Sequence, residues 1–148
     1  MSLGAIRGYL KGLLEGVTGI GVVHDYERWA VQYSDLMSYY VKNSKLNGWA
    51  ITRRSTEAEW TGDPVVDRTH QFEITGIYSL KDADASEKTF QDLIEAIDAA
   101  VRFDHTLGGN CIVAGPLAVE VVEARMFGSV LCHYCLLRLP VSTREIQG

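Results

Sequence analysis

Cys132-His133-Tyr134-Cys135 is the stretch whose residue types and spacing most invite chemistry, because a Cys-x-x-Cys is either a redox pair or half of a zinc site. A redox pair of this kind sits at the start of a helix, where the dipole lowers a thiol's pKa. Here both cysteines lie inside the apolar run Val130 to Leu139. That run reads as a strand, and in a strand residues three apart point to opposite faces. Zinc would need two further ligands, and Cys111, His24, His70 and His105 are scattered without metal-like spacing. The expectation is a set of buried or half-buried strand cysteines, with no metal and no cofactor.

The remaining candidates are weaker. No Ser or Cys stands in a Gly-x-Ser-x-Gly elbow, so a catalytic triad has no support. His70 and His133 are expected side by side on neighbouring strands, each hydrogen-bonded to a neighbour or to water. The alternative reading of the chain, a small ligand-binding or enzymatic α+β domain, would use the sheet face near those two residues. Glu120 and Glu123 are three apart on a strand and so face opposite ways, while Asp92 and Glu95 lie on a solvated helix face; neither pair has a reason for a raised pKa. Thr106-Leu107-Gly108-Gly109-Asn110 follows a helix, whereas phosphate-cradling glycines precede one. It reads as a helix stop and a mobile loop. Arg53-Arg54 and the lysines Lys42 and Lys45 are explained by a solvated strand edge.

The elements that must hold these residues fit one domain over residues 1–148, with 47% hydrophobic composition to fill one core. Ile6, Tyr9, Leu10, Leu13, Leu14 and Val17 form the stripe of an amphipathic helix, stopped by Gly16, Gly19 and Gly21. Val22 to Arg28 reads as a strand, and Ser34 to Val41 as a short helix. Trp49 to Trp60 alternates with period two, Trp49, Ile51, Arg53 and Ser55 on one side. After the turn residues Gly62-Asp63-Pro64, the run Thr69 to Leu80 puts His70, Phe72, Ile74, Gly76 and Tyr78 on one face, giving a hairpin whose long tip is residues 57–68. Asp84 or Ser86 is expected to cap a helix with Phe90, Leu93, Ile94, Ile97 and Val101 inward. Two strands follow, about Leu117 to Met126 and Ser129 to Val141, joined at Phe127-Gly128. This order predicts an α+β fold: an antiparallel sheet of about four to five strands with helices packed on one face.

Composition narrows the partners. With 14 Lys+Arg against 19 Asp+Glu, the net charge of −5 disfavours general nucleic-acid binding. No apolar run approaches the roughly 20 residues of a membrane-spanning helix, so no membrane role is expected. Met1-Ser2-Leu3-Gly4 lacks the features of a secretory leader, and 3 cysteines are too few and odd in number for a disulfide framework, so a reducing compartment is expected. The tyrosines Tyr33, Tyr39 and Tyr40 with Trp29, Trp49 and Trp60 are a dense aromatic set, of the kind that packs cores and fills subunit contacts.

The layout resembles the tail terminator, or tail completion, proteins of long-tailed bacteriophages and prophages. Four features carry this: the opening helix Ile6 to Val17 leading into a strand; the Trp49-Ala50-Ile51 strand and its partner around His70 to Tyr78; the helix Phe90 to Val101 running into Asp104-His105-Thr106-Leu107-Gly108-Gly109; and the closing strands through Glu120-Val121-Val122-Glu123 and Tyr134 to Val141. The resemblance implies a structural, non-enzymatic α+β subunit that joins copies of itself into a ring, commonly of six. That ring caps the tail tube and meets head or neck proteins, in the virion and, during assembly, in the bacterial cytoplasm. A closing head-to-tail ring requires two different complementary patches on each subunit. They are expected on an arm from Glu57 to Arg68, carrying Trp60, Asp63, Pro64 and Arg68, and on the loop Thr106 to Ala114, carrying Thr106, Leu107, Gly108 and Gly109.

Overall fold

The computed structural model of the chain describes residues 2–26, 40–42, 45–81, 85–127 and 130–146. Helix α1, Leu3–Glu15, starts where the Ser2 hydroxyl accepts a hydrogen bond from the Ala5 N–H at 3.0 Å, and it buries Ile6, Leu10 and Leu14 at four-residue spacing. Gly16 ends it, so Val17 packs against the core from outside the helix. Strand β1 is Val22–His24 and strand β2 is Val41–Lys42. The expected helix from Ser34 lies outside the described residues apart from Tyr40 and Val41, and Val41 is in a strand. Trp29, Tyr33 and Tyr39 lie outside them too.

The two long central strands are β3, Lys45–Gly62, and β4, Val65–Ser79. Their ladder runs from Asn47↔Tyr78 to Gly62↔Val65, interrupted by register shifts at Arg53/Ser55 and Trp60/Gly62, so residues 57–68 are paired strand and tight turn, where a long tip was expected. Helix α2, Ser86–Phe103, buries Phe90, Leu93, Ile94, Ile97 and Val101 as its spacing predicts. Its cap differs. Ala85 occupies the N-cap in a left-handed conformation with no side-chain cap, Asp84 lies outside the described residues, and Ser86 turns its hydroxyl to His133. Strands β5, Val113–Ala114, β6, Ala118–Phe127, and β7, Val130–Ile146, complete the described chain; the joint at residues 128–129 lies outside it.

The architecture is mixed α/β and mostly β: two described helices and a curled sheet of seven strands in the order β1-β3-β4-β7, with β5 and β6 sharing the far edge of β7 and β2 added to β3. The expectation of four to five antiparallel strands needs two corrections. β2 and β5 are two residues each, too short to carry a periodic signal. β1 pairs with β3 in parallel, Val22↔Gly48 to His24↔Ala50. That pairing depends on a close approach at Gly21, where a Cβ would lie 1.8 Å from the Asn47 carbonyl oxygen. The Asn47 side chain clamps the same turn, accepting from the Gly21 N–H at 3.0 Å and donating to the Gly19 carbonyl at 2.9 Å.

Alternation along the strands sorts side chains onto two faces. Trp49, Ile51, Phe72, Ile74, Cys135, Leu137, Leu139 and Val141 join the buried residues of α1 and α2 in one core, and this is called the helix face below. On the opposite face Leu46, Ile77 and Cys132 form a smaller cluster flanked by Tyr40, Val41, Phe127, Val130 and Tyr134.

Candidate assembly surface

From a root at Phe72, Leu139 and Val141, which still belong to the helix-face core, the sheet continues as an arm. β3 from Arg53 and β4 up to Phe72 are joined by the second half of β7, whose residues Leu139 to Ile146 pair with Phe72 back to Val65. The arm is therefore three-stranded, the third strand coming from the far end of the sequence. It is stiffened by the paired contact of Arg144 with Asp67, Nε to Oδ1 at 2.6 Å and Nη2 to Oδ2 at 2.9 Å, and by Arg68 to Glu145 at 3.3 Å. The Arg144 guanidinium holds the Asp67 carboxyl below its ordinary range.

A bulge between Arg53 and Ser55 decides which way the arm presents its side chains. The strict alternation read from the sequence puts Ser55 with Arg53; the extra residue instead moves Thr56, Ala58 and Trp60 to the helix face, opposite His70, Arg68 and Val66. Trp60 is left 64% exposed at the end of the arm. It shares a shallow concavity of about 310 Å³ with Ala58, Glu59, Val66, Arg68 and Glu145. Asp63 and Pro64 form the exposed turn at the tip.

His70 sits at the root of the arm, buried, with Nδ1 2.8 Å from the Thr56 hydroxyl, which also accepts from Arg53 Nη1 at 3.0 Å. Burial pushes its pKa down, helped by the charges of Arg68 and Arg53. The unfolded imidazole, near about 6.5, therefore takes up a proton before the folded one does. Stability is expected to fall as pH drops below about 6.5, down to the folded pKa. Melting temperatures followed between about pH 7.5 and about pH 5 should show a shallower fall for His70→Gln than for the parent; equal slopes would remove His70 as the cause.

His133 is far from it. The register sets His133 opposite Tyr78 and His70 opposite Val141, roughly 26 Å apart at about 3.3 Å per residue, which corrects the expectation that the two lie side by side. His133 is buried against Phe90, ring centroids 5.6 Å apart, and its Nε2 lies 2.8 Å from the Ser86 hydroxyl. The hydroxyl also accepts from the Lys81 N–H at 2.8 Å. The contact ties the start of α2 to β7.

The loop after α2 is ordered by Asp104. Its carboxylate accepts from the Tyr9 hydroxyl of α1 and, at 3.0 Å, from the Gly108 N–H, and these bonds, in that order, hold its pKa below the ordinary range. Leu107 adopts φ 49° and is fully buried, so of the loop residues expected to make contacts it belongs to the core; Thr106 is half-buried, and Gly108 and Gly109 are exposed. The structure does not bring this loop to the tip with Trp60. Through β5 it runs beside Val141 and Ser142 on the far edge of the sheet.

The cysteines point as alternation requires, Cys135 into the main core and Cys132 into the opposite cluster. Burial pushes the thiols up, Cys132 and Cys111 to about 11 and Cys135 to about 12. A maleimide probe at neutral pH is expected to label none of the three until the protein unfolds; fast labelling of Cys132 in the native state would contradict the burial. Among the described residues no group of three His, Cys, Asp or Glu side chains is placed to hold a metal ion. Glu120 and Glu123 are each ion-paired, to Arg138 at 3.7 Å and to Arg125 at 2.6 Å. A bulge between Val119 and Val121 brings Glu120 to the side of Arg138, so the two carboxylates do not face opposite ways as expected. No described helix is long and apolar enough to cross a membrane. Comparison of the chain with protein-family models and with curated proteins finds no match.

Proposed function

We propose that this protein is a structural, non-enzymatic subunit that assembles with copies of itself into a ring, in the manner of the phage tail terminators its layout resembles. In that role the ring caps a tail tube and offers a surface to head or neck proteins, six copies being the number the resemblance implies. The observation that carries the reading is the arm: three strands project past the core and end in a tryptophan with most of its surface in water. A lone exposed apolar side chain is ordinary. Here Trp60 stands on an ion-paired platform beside a concavity lined by the buried Val66 and the half-buried Arg68, the composition that buried contact centres use.

The alternative, a ligand-binding or enzymatic domain using the sheet face near His70 and His133, has less support, since each histidine is buried in its own hydrogen bond and the register sets the two eight residues apart along the strands. Negative-stain microscopy of the purified protein at micromolar concentration tests the proposal. Closed rings of uniform diameter are expected; a field of particles of single-chain size would refute it.

A further inference from the structure

Among the described residues the sheet has two long open edges. Beyond the start of β3, where β1 and β2 cover it, no described strand lies alongside Arg53 to Gly62, and among the described strands β6 has only β7 beside it. β4 and β7 are paired on both sides along most of their length. An unpaired edge presents a row of N–H and C=O groups to any strand of matching length, and folds usually blunt it with proline, charge or cover. β6 contains no proline. Its charges, Glu123 and Arg125, and Glu120 through Arg138, lie toward the face away from the helices. On its helix face Val119, Val122, Ala124 and Met126 form an uncharged stripe, continued on β7 by Leu131. Val119, Met126 and Leu131 are 46%, 55% and 47% exposed.

We infer that β6 of one copy pairs with the outer edge of the β3 arm, Arg53 to Gly62, of the next. This rests on the ring reading and names its interface. Three observations select a second copy as the occupant. First, β3, β4, β7 and β6 alternate in direction, so β3 of another copy beside β6 extends the antiparallel order without a break. Second, the two edges match in length, ten residues in each. Third, their side chains match by face: a continuous sheet keeps helix face with helix face, which sets Ala58 and Trp60 of one copy against the Val119 to Met126 stripe of the other. A ladder of this length with Trp60 seated on the stripe brings the contact to the order of 1,000 Å² that the smallest specific interfaces bury. Because the patches differ, the contact is head-to-tail and repeats around a ring.

The test compares the parent with two charge variants, the double Val119→Lys and Met126→Lys on β6 and the single Trp60→Lys on the arm. All three positions are exposed, so circular dichroism and melting should show the fold retained. Each variant is expected to raise the concentration at which assembly is half complete by at least about tenfold. Chains carrying Ala58→Cys alone and Met126→Cys alone are then mixed and treated with a bis-maleimide, whose reach spans neighbouring registers. The expected result is a covalent dimer from the mixture and none from either alone, the native thiols being buried. If the parent assembles and both charge variants assemble as well as it does, this interface is wrong while the ring stands. If Met126→Cys chains cross-link with one another, β6 pairs with itself about a two-fold axis and the head-to-tail inference falls. If the parent never exceeds one chain, ring and interface fall together.

Discussion

Replacing Gly76 with valine is expected to lower the unfolding free energy by about 3 kcal/mol or more, the upper range for overpacking a core. A Cβ at this position would stand 2.3 Å from Trp49 Cζ3, with two further indole atoms within 2.8 Å. The ring cannot step aside. Trp49 is fully buried, lies stacked on Phe90 with centroids 5.7 Å apart, and donates its Nε1–H to Asn47 Oδ1 at 3.0 Å. Moving the indole would also disturb the Asn47 side chain that clamps the turn into β1. For a chain of this size such a loss lowers the melting temperature by roughly 6 to 12 °C. Denaturant titration of parent and variant checks it; equal midpoints would mean that Trp49 does not lie across Gly76.

The second large effect is expected at Phe90. Its ring is fully buried among Trp49, Tyr78 and His133, with centroids 5.7, 5.9 and 5.6 Å away, so it joins α2 to three strands at once. Phe90→Ala removes the ring and leaves a cavity the aromatic walls cannot close, at a cost of about 3 to 5 kcal/mol. Phe90→Leu, which keeps most of the volume, should cost clearly less. Thermal melts of both variants decide the matter: equal losses would point to backbone damage, and no loss from Phe90→Ala would remove Phe90 from the centre of the core.

These two sites also mark what the sequence discloses. Phe90 and the other inward residues of α2 were legible because a helix repeats every 3.6 residues over five turns. Phe72, Ile74, Gly76 and Tyr78 were legible from period two. What failed did so for local or distant reasons. The bulge at Arg53 is a single extra residue, and no periodic count detects it, yet it turns Trp60 toward the helix face. The arm's third strand comes from residues 139–146, and only the pairing register shows that β4 and β7 meet there; the same register separates His70 from His133. Leu107 sits in a glycine-rich run that reads as a loose loop, but its left-handed backbone inserts the side chain into the core. Ser86 has the chemistry of a cap, and the partner that takes its hydroxyl is a histidine 47 residues away. Of the assembly candidates, Trp60, Asp63, Pro64 and Arg68 lie on the β3–β4 hairpin. The open edge of β6 was not foreseen, because an unpaired strand has the same alternation as a paired one.

Assembly into a ring requires that these open edges and the arm be satisfied by other copies of the chain. Sedimentation equilibrium of the unmodified protein at micromolar concentration and moderate salt measures that most directly. A single species at a whole-number multiple of 16.4 kDa, unchanged on several-fold dilution, is the result expected of a closed ring. A mass of 16.4 kDa throughout would contradict it.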